Sequence, residues 1–130
     1  MDEKVKLSTA NLAYMGDAVF EIHVRKMLLT KNRPIDVVNR EARKYVSAKA
    51  QAIMYHKLES HLSEDEYSVM KRGRNLHSNS KAKNAGTIEY RHATGLETLF
   101  GHLFVNQHHE RIEELFKICI EIGENCEKQK

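Results

Sequence analysis

The chain has 130 residues, 41% hydrophobic and 30% charged. That is enough apolar material for one core, too little length for two comparable domains, and a balance that excludes intrinsic disorder. No apolar run approaches the roughly 20 residues that cross a bilayer, and Met1-Asp2-Glu3-Lys4 lacks the basic start and apolar stretch of a secretory leader, so a cytoplasmic protein without a membrane span is expected. The formal net charge of +3 is too small to make the whole surface attract anions, which leaves local clustering as the electrostatic route to a polyanionic partner.

Taken in chain order, Ser8 or Thr9 can cap a first helix whose apolar residues Leu12, Met15, Val19, Ile22, Val24 and Leu28 largely follow three-and-four steps. Asp17 and Glu21 lie four residues apart in it and would crowd two negative charges on one face. A divalent cation with oxygen ligands would relieve that repulsion, because hard ions are held by one or two carboxylates and complete their shell with water and phosphate. An ion pair between Glu21 and Arg25, one turn on, is an equally available explanation. Lys31-Asn32-Arg33-Pro34 closes the helix, and the proline suits the first turn of a second helix with an apolar face of Ile35, Val38, Ala42 and Tyr45-Val46. Ser47 restarts the pattern for a small-residue segment through Ala48, Ala50, Ala52, Ile53, Tyr55 and Leu58.

Ser63-Glu64-Asp65-Glu66 reads as a capping box opening a helix through Tyr67, Val69 and Met70 that gives way around Gly73. The stretch from Arg74 to Gly86 is polar, aperiodic and long, and such a loop in a small helical domain is more often functional than idle. Lys71, Arg72, Arg74, Lys81, Lys83 and Arg91 cluster in and around it with a single acid, Glu89. The helical pattern returns at Glu89 or Tyr90 and runs through Ala93, Leu96, Leu99-Phe100, Leu103 and Phe104. Glu97 sits in this apolar segment and is expected to be partly buried, so it needs a metal, backbone donors, or an arginine such as Arg91 or Arg25. His92 and His102 are each five residues from Glu97, a spacing that places neither squarely on its helical face, and they receive no catalytic role. A last helix carries Ile112, Leu115-Phe116 and Cys119-Ile120, with Lys128-Gln129-Lys130 fraying. Cys119 and Cys126 form no CxxC and read as core or surface thiols. No period-two alternation is long enough for a sheet, so the expectation is a single all-α domain over residues 1–130.

Leu12-Ala13-Tyr14-Met15-Gly16-Asp17-Ala18-Val19-Phe20-Glu21 resembles the signature of the ribonuclease III superfamily, and Leu96-Glu97-Thr98-Leu99-Phe100-Gly101 resembles its distal carboxylate segment. Val46-Ser47-Ala48-Lys49-Ala50-Gln51-Ala52, Lys71-Arg72-Gly73-Arg74-Asn75 and Tyr90-Arg91-His92-Ala93-Thr94 extend the likeness over nearly the whole chain. Within the superfamily the pattern is most similar to the short bacterial form, Mini-ribonuclease III, which lacks an appended double-stranded-RNA-binding domain.

The resemblance implies a ribonuclease III endonuclease-domain-like helical bundle, with Asp17 and Glu97 as catalytic, metal-binding carboxylates. It also implies Mg²⁺ dependence, a homodimer, and cleavage of double-stranded RNA in maturing the ends of precursor 23S ribosomal RNA, with a ribosomal protein as a further partner that could present the RNA. Full-length members carry more acids where this chain has Ala10, Ala13 and Thr94, a reduction the short form shares, so the metal shell would be completed by water or substrate phosphate. Glu21 is then structural or supporting. The basic cluster of Lys71, Arg72, Arg74, Lys81, Lys83 and Arg91, with the amide of Asn75, suits an A-form duplex read through phosphates and 2′-hydroxyls. The alternative is a non-catalytic RNA-binding or ribosome-assembly module on the same scaffold.

Overall fold

The computed structural model describes residues 6–76 and 87–128, with side chains through Glu121. Six helices account for it: α1 (Thr9–Leu28), α2 (Ile35–Val46), α3 (Ala48–Leu58), α4 (Glu64–Arg74), α5 (Ile88–Val105) and α6 (His109–Lys128), with one 3₁₀ turn, Glu59–His61, between α3 and α4. No strand occurs among the described residues, and none of these helices is long and apolar enough to cross a membrane. The expected all-α class is therefore the one observed.

Helix starts are set by short side chains that satisfy first-turn amides. Ser8 accepts from the amide of Asn11, Ser47 from Ala50, Ser63 from Glu66 and Thr87 from Tyr90. Ser63 and Glu66 close a full capping box, with the Ser63 amide donating to Glu66 Oε1 at 2.9 Å. Pro34 is the cap residue of α2 rather than a member of its first turn. Arg33, just before it, donates from Nη1 to both oxygens of Glu41 at 3.0 Å and from Nη2 to the Leu28 carbonyl at 2.9 Å, joining the end of α1 to α2.

Helix α5 is the centre of the fold. Most residues from His92 to Leu103 are buried, with Thr94, Glu97 and His102 half-buried, the mark of a helix packed by neighbours on most sides. It packs against α1, α3 and α4, while α6 closes the core against α3 and α5. Phe20 of α1 meets Phe100 of α5 and Phe116 of α6 edge-on, each at 5.5 Å between ring centres, and Met54, Tyr55 and Leu58 of α3 are fully buried beside them. Cys119 is one of the core residues, a free thiol whose pKa is pushed up by burial, so it is inert packing.

Glycines place α5 this close to its neighbours. A Cβ on Gly16 would collide with the Glu97 carbonyl and lie 2.8 Å from the Gly101 amide, and a Cβ on Gly101 would collide with the Leu12 carbonyl. The same applies to α4 and α5, where a Cβ on Gly73 would strike the Thr98 side chain and sit 3.0 Å from the Gly95 Cα. The fourth helix gives way where the sequence placed it, around Gly73: α4 ends at Arg74, and Gly73 is its buried penultimate residue. It is glycine because a neighbour passes.

Candidate active site

The crossing of α1 and α5 brings Asp17 and Glu97 together. Gly16, the residue before Asp17, touches the backbone of Glu97 itself, so the two carboxylates project from the tightest point between the helices. Asp17 is exposed and Glu97 half-buried, which gives the pair one face toward solvent and one toward the core. Burial, then the charge of Asp17 and a hydrogen bond to it, then the charge of Glu21, push the Glu97 pKa up to about 8. At neutral pH without a cation, Glu97 is therefore protonated, its carboxyl O–H donating a hydrogen bond to the Asp17 carboxylate.

Glu21 belongs to the same acidic face but is also partnered, with Arg25 Nη2 3.5 Å from its Oε1. Of the two readings of Glu21 offered by spacing, the ion pair with Arg25 is present, and the Glu21 charge also raises the Glu97 pKa. No ion pair from Arg91 or Arg25 to Glu97 occurs among the described residues; aspartate, not arginine, faces it. No group of three or more histidine, cysteine or acidic side chains among the described residues is arranged to hold a metal ion. What remains is a two-carboxylate donor set of hard oxygens, short of positive charge and open to solvent. That fits a Mg²⁺-type ion keeping several waters, and does not fit an all-protein cage or a soft-metal site.

The histidines of α5 face elsewhere. His92 is buried, donates from Nδ1 to the Ile88 carbonyl at 2.8 Å, and meets Tyr55 of α3 edge-on and His56 at a tilt, with ring centres 4.6 and 4.4 Å away. His102 is half-buried and lines a cavity with Arg72.

The basic residues fall into separate groups. Arg74, Asn75 and Arg91 line one concavity at the end of α4 and the start of α5, where Arg74 Nε donates to Asn75 Oδ1 at 3.1 Å. Lys71 is exposed on α4, and Arg72 lines a different cavity. Lys81 and Lys83 lie outside the described residues, as does most of the basic loop.

Sequence reasoning passed over Gly16 and Gly101 as parts of the site. The available signal was a glycine inside each of two helical patterns, a residue whose presence there usually has a packing reason.

Comparison with known proteins agrees with this geometry. The model of the ribonuclease III domain matches residues 10–108, a span that contains both carboxylates. The chain is similar to Mini-ribonuclease 3 of Enterococcus faecalis, with 44% identity over 98% of this chain and 100% of that protein. It is also similar to Mini-ribonuclease 3 of Clostridium tetani, at 41% identity over 87% of this chain and 76% of that one. A crystal structure of a Fusobacterium nucleatum protein superposes with a TM-score of 0.77 at 30% identity, covering 89% of this chain and 93% of that one. The chain belongs to the ribonuclease III family of endoribonucleases.

Proposed function

We propose that the chain is a Mg²⁺-dependent endoribonuclease that acts as a homodimer on double-stranded RNA, with the ends of precursor 23S ribosomal RNA as its natural substrate. The observation that carries this reading is the meeting of Asp17 and Glu97 at the α1–α5 crossing, where burial and the neighbouring Asp17 charge raise the Glu97 pKa.

Asp17 and Glu97 would hold the metal. When bound, the ion supplies an activated water and neutralises charge on the scissile phosphate and the departing 3′ oxygen. The chain's own part is to give up the Glu97 proton as the site loads, to keep both carboxylates fixed by the glycine-mediated crossing, and to hold Glu21 with Arg25 so that its charge reinforces the site. Arg74, Asn75 and Arg91, already grouped, are suited to phosphates and a 2′-hydroxyl of A-form RNA, with Lys71, Arg72, Lys81 and Lys83 as further backbone contacts.

Dimerisation is supported by an apolar row on the exposed side of α1. Tyr14 is 82% and Ile22 64% exposed, with Ala18 between them one helical turn from each. Packed against its own copy about a two-fold axis, this row would set the two acidic sites on either side of one interface, one for each RNA strand. The test is a long RNA duplex incubated with and without Mg²⁺, with cuts mapped on both strands. Asp17→Asn is expected to bind the duplex with the wild-type salt dependence and to leave it uncut. Cleavage by that variant at the wild-type rate would refute the assignment, and a wild-type protein that binds duplex but never cuts it would leave only a binding module.

A further inference from the structure

One well-formed cavity among the described residues is not at Asp17 and Glu97. It lies between the start of α1, the middle of α4 and the C-terminal half of α5, with a volume of about 520 Å³, and none of Asp17, Glu21 and Glu97 lines it. That volume is within the range of small-molecule sites, roughly 300–1,000 Å³. Its lining has two parts. Leu12, Val69 and Val105 give it an apolar surface, and Lys6, Arg72 and His102 bring three nitrogen bases to it from three different segments of the fold. Among the described residues, no carboxylate lines it.

Two acids act electrostatically on His102, Glu66 and Asp65, and the stronger of them is engaged elsewhere. Glu66, which acts electrostatically on His102, has both carboxylate oxygens bound by Arg111, so its charge is already offset. Burial first, then His108 and Arg72, push the His102 pKa down, so a neutral imidazole donor or acceptor stands beside the Lys6 and Arg72 cations. The positive end of α1 also opens beside this cavity, at Leu7 and Thr9. A concave site with an apolar surface and unbalanced positive charge matches a ligand with a flat apolar body and a compact anionic group.

We propose that this cavity binds a nucleotide through its phosphate monoester, with Lys6 and Arg72 on the phosphate and the base against Leu12, Val69 and Val105. The ligand is either a free mononucleotide or the phosphorylated end of a strand, since both present the same group. The site is separate from the one that holds Asp17 and Glu97 and does not depend on its chemistry. It also gives Arg72 a different task from Arg74 and Arg91, which line another concavity.

The experiment is an amide-resolved NMR titration of the full chain without added divalent cation, so that no metal can bridge phosphate to Asp17 and Glu97. The probes are AMP, adenosine, and short RNA duplexes with 5′-phosphate or 5′-hydroxyl ends. Saturable shifts at the His102 and Val105 amides with AMP, and affinity weaker by about tenfold for adenosine, are expected for the loss of a charge-assisted contact. Lys6→Gln and Arg72→Gln should each raise the AMP Kd by about tenfold while Asp17→Asn leaves it unchanged. If AMP is silent but the 5′-phosphorylated duplex shifts these amides and the 5′-hydroxyl duplex does not, the ligand is a strand end. No saturable shift at these amides with either phosphorylated probe overturns the proposal, as does AMP binding that survives the Lys6→Gln/Arg72→Gln double substitution.

Discussion

Gly16 and Glu97 touch through their backbones: the space where a Gly16 Cβ would stand is occupied by the Glu97 carbonyl. The residue before one carboxylate thus sets the distance to the helix carrying the other, and Gly101 repeats the contact against Leu12 one turn further along. Gly16→Ala must push α1 away from α5. Forced overpacking of this kind costs about 1–3 kcal/mol, and here the obstacle is backbone that cannot change rotamer. The expected outcome is a lowered Tm together with a lowered kcat for duplex RNA, measured on the same preparation by thermal melting and cleavage assay. A variant as stable and as active as wild type would show that the crossing is looser than described.

The proton on Glu97 makes the metal-free protein sensitive to pH. Its pKa is raised from 4.5 to about 8, chiefly by burial and then by Asp17, so between those values the folded chain keeps a proton that the unfolded chain has lost. Stability of the metal-free protein must therefore fall as pH rises through that window, the reverse of the usual behaviour of a paired carboxylate. Melting curves from pH 5 to 8 without cation should show this decline, and Glu97→Gln should flatten it. A cation replaces the proton, so apparent Mg²⁺ affinity should rise with pH over the same interval, and the wild-type Tm at pH 8 should gain more from Mg²⁺ than the Tm at pH 5.

How much of this was legible in the sequence depends on the range of each interaction. Ser8, Ser47 and Ser63 were readable as caps because each satisfies an amide three residues away. Thr87 was missed, with the helix placed from Glu89 or Tyr90, because the sequence leading into it, Lys83-Asn84-Ala85-Gly86, carries no periodicity. Gly73 marked the end of α4 to within one residue, but its packing role was not legible, since only the approach of Thr98 from α5 reveals it. Asp17 and Glu97 stand 80 positions apart in the numbering; no spacing rule connects them, and motif resemblance did. The cavity around Arg72 was invisible for a related reason, as its lining comes from three helices whose crossings are set by glycines rather than by periodicity.

Glu66 has two tasks, and a prediction follows from their overlap. Besides accepting from the Ser63 amide, it accepts from Arg111 Nε and Nη2, each at 2.9 Å, while Nη2 also reaches the His61 carbonyl at 2.7 Å. One carboxylate thus fixes the start of α4 and ties it to α6. The Arg111 hydrogen bonds, foremost, hold the Glu66 pKa below 4.5. The contribution is therefore complete above that pH and lost as acid protonates the folded carboxylate. Arg111→Met is expected to lower stability by about 1–3 kcal/mol at neutral pH, the usual range for charge-assisted hydrogen bonds, and to remove part of the acid sensitivity below pH 4.5. Denaturant melts at pH 7 and pH 3.5 would check both statements.

The turn from α5 to α6 contains the one described non-glycine residue with positive φ, Gln107 at 61°. The amide of Gln107 donates to the Phe104 carbonyl at 3.0 Å and that of His108 to the Leu103 carbonyl at 2.8 Å, so Gln107 fills the left-handed position of a Schellman cap. A side chain there opposes the carbonyl that follows it, at a cost of about 1–2 kcal/mol. Glycine removes that strain but gives the unfolded chain more freedom to lose, so the net gain for Gln107→Gly should be nearer 0.5–1 kcal/mol, about half the strain. The turn lies past the C-terminal end of α5, whereas Glu97 sits in the middle of that helix, and duplex cleavage should be unchanged. Chemical denaturation with an unaltered m-value and a higher midpoint is the expected result; an unchanged or lower midpoint would mean that the exposed glutamine contributes a contact worth as much as the strain it carries.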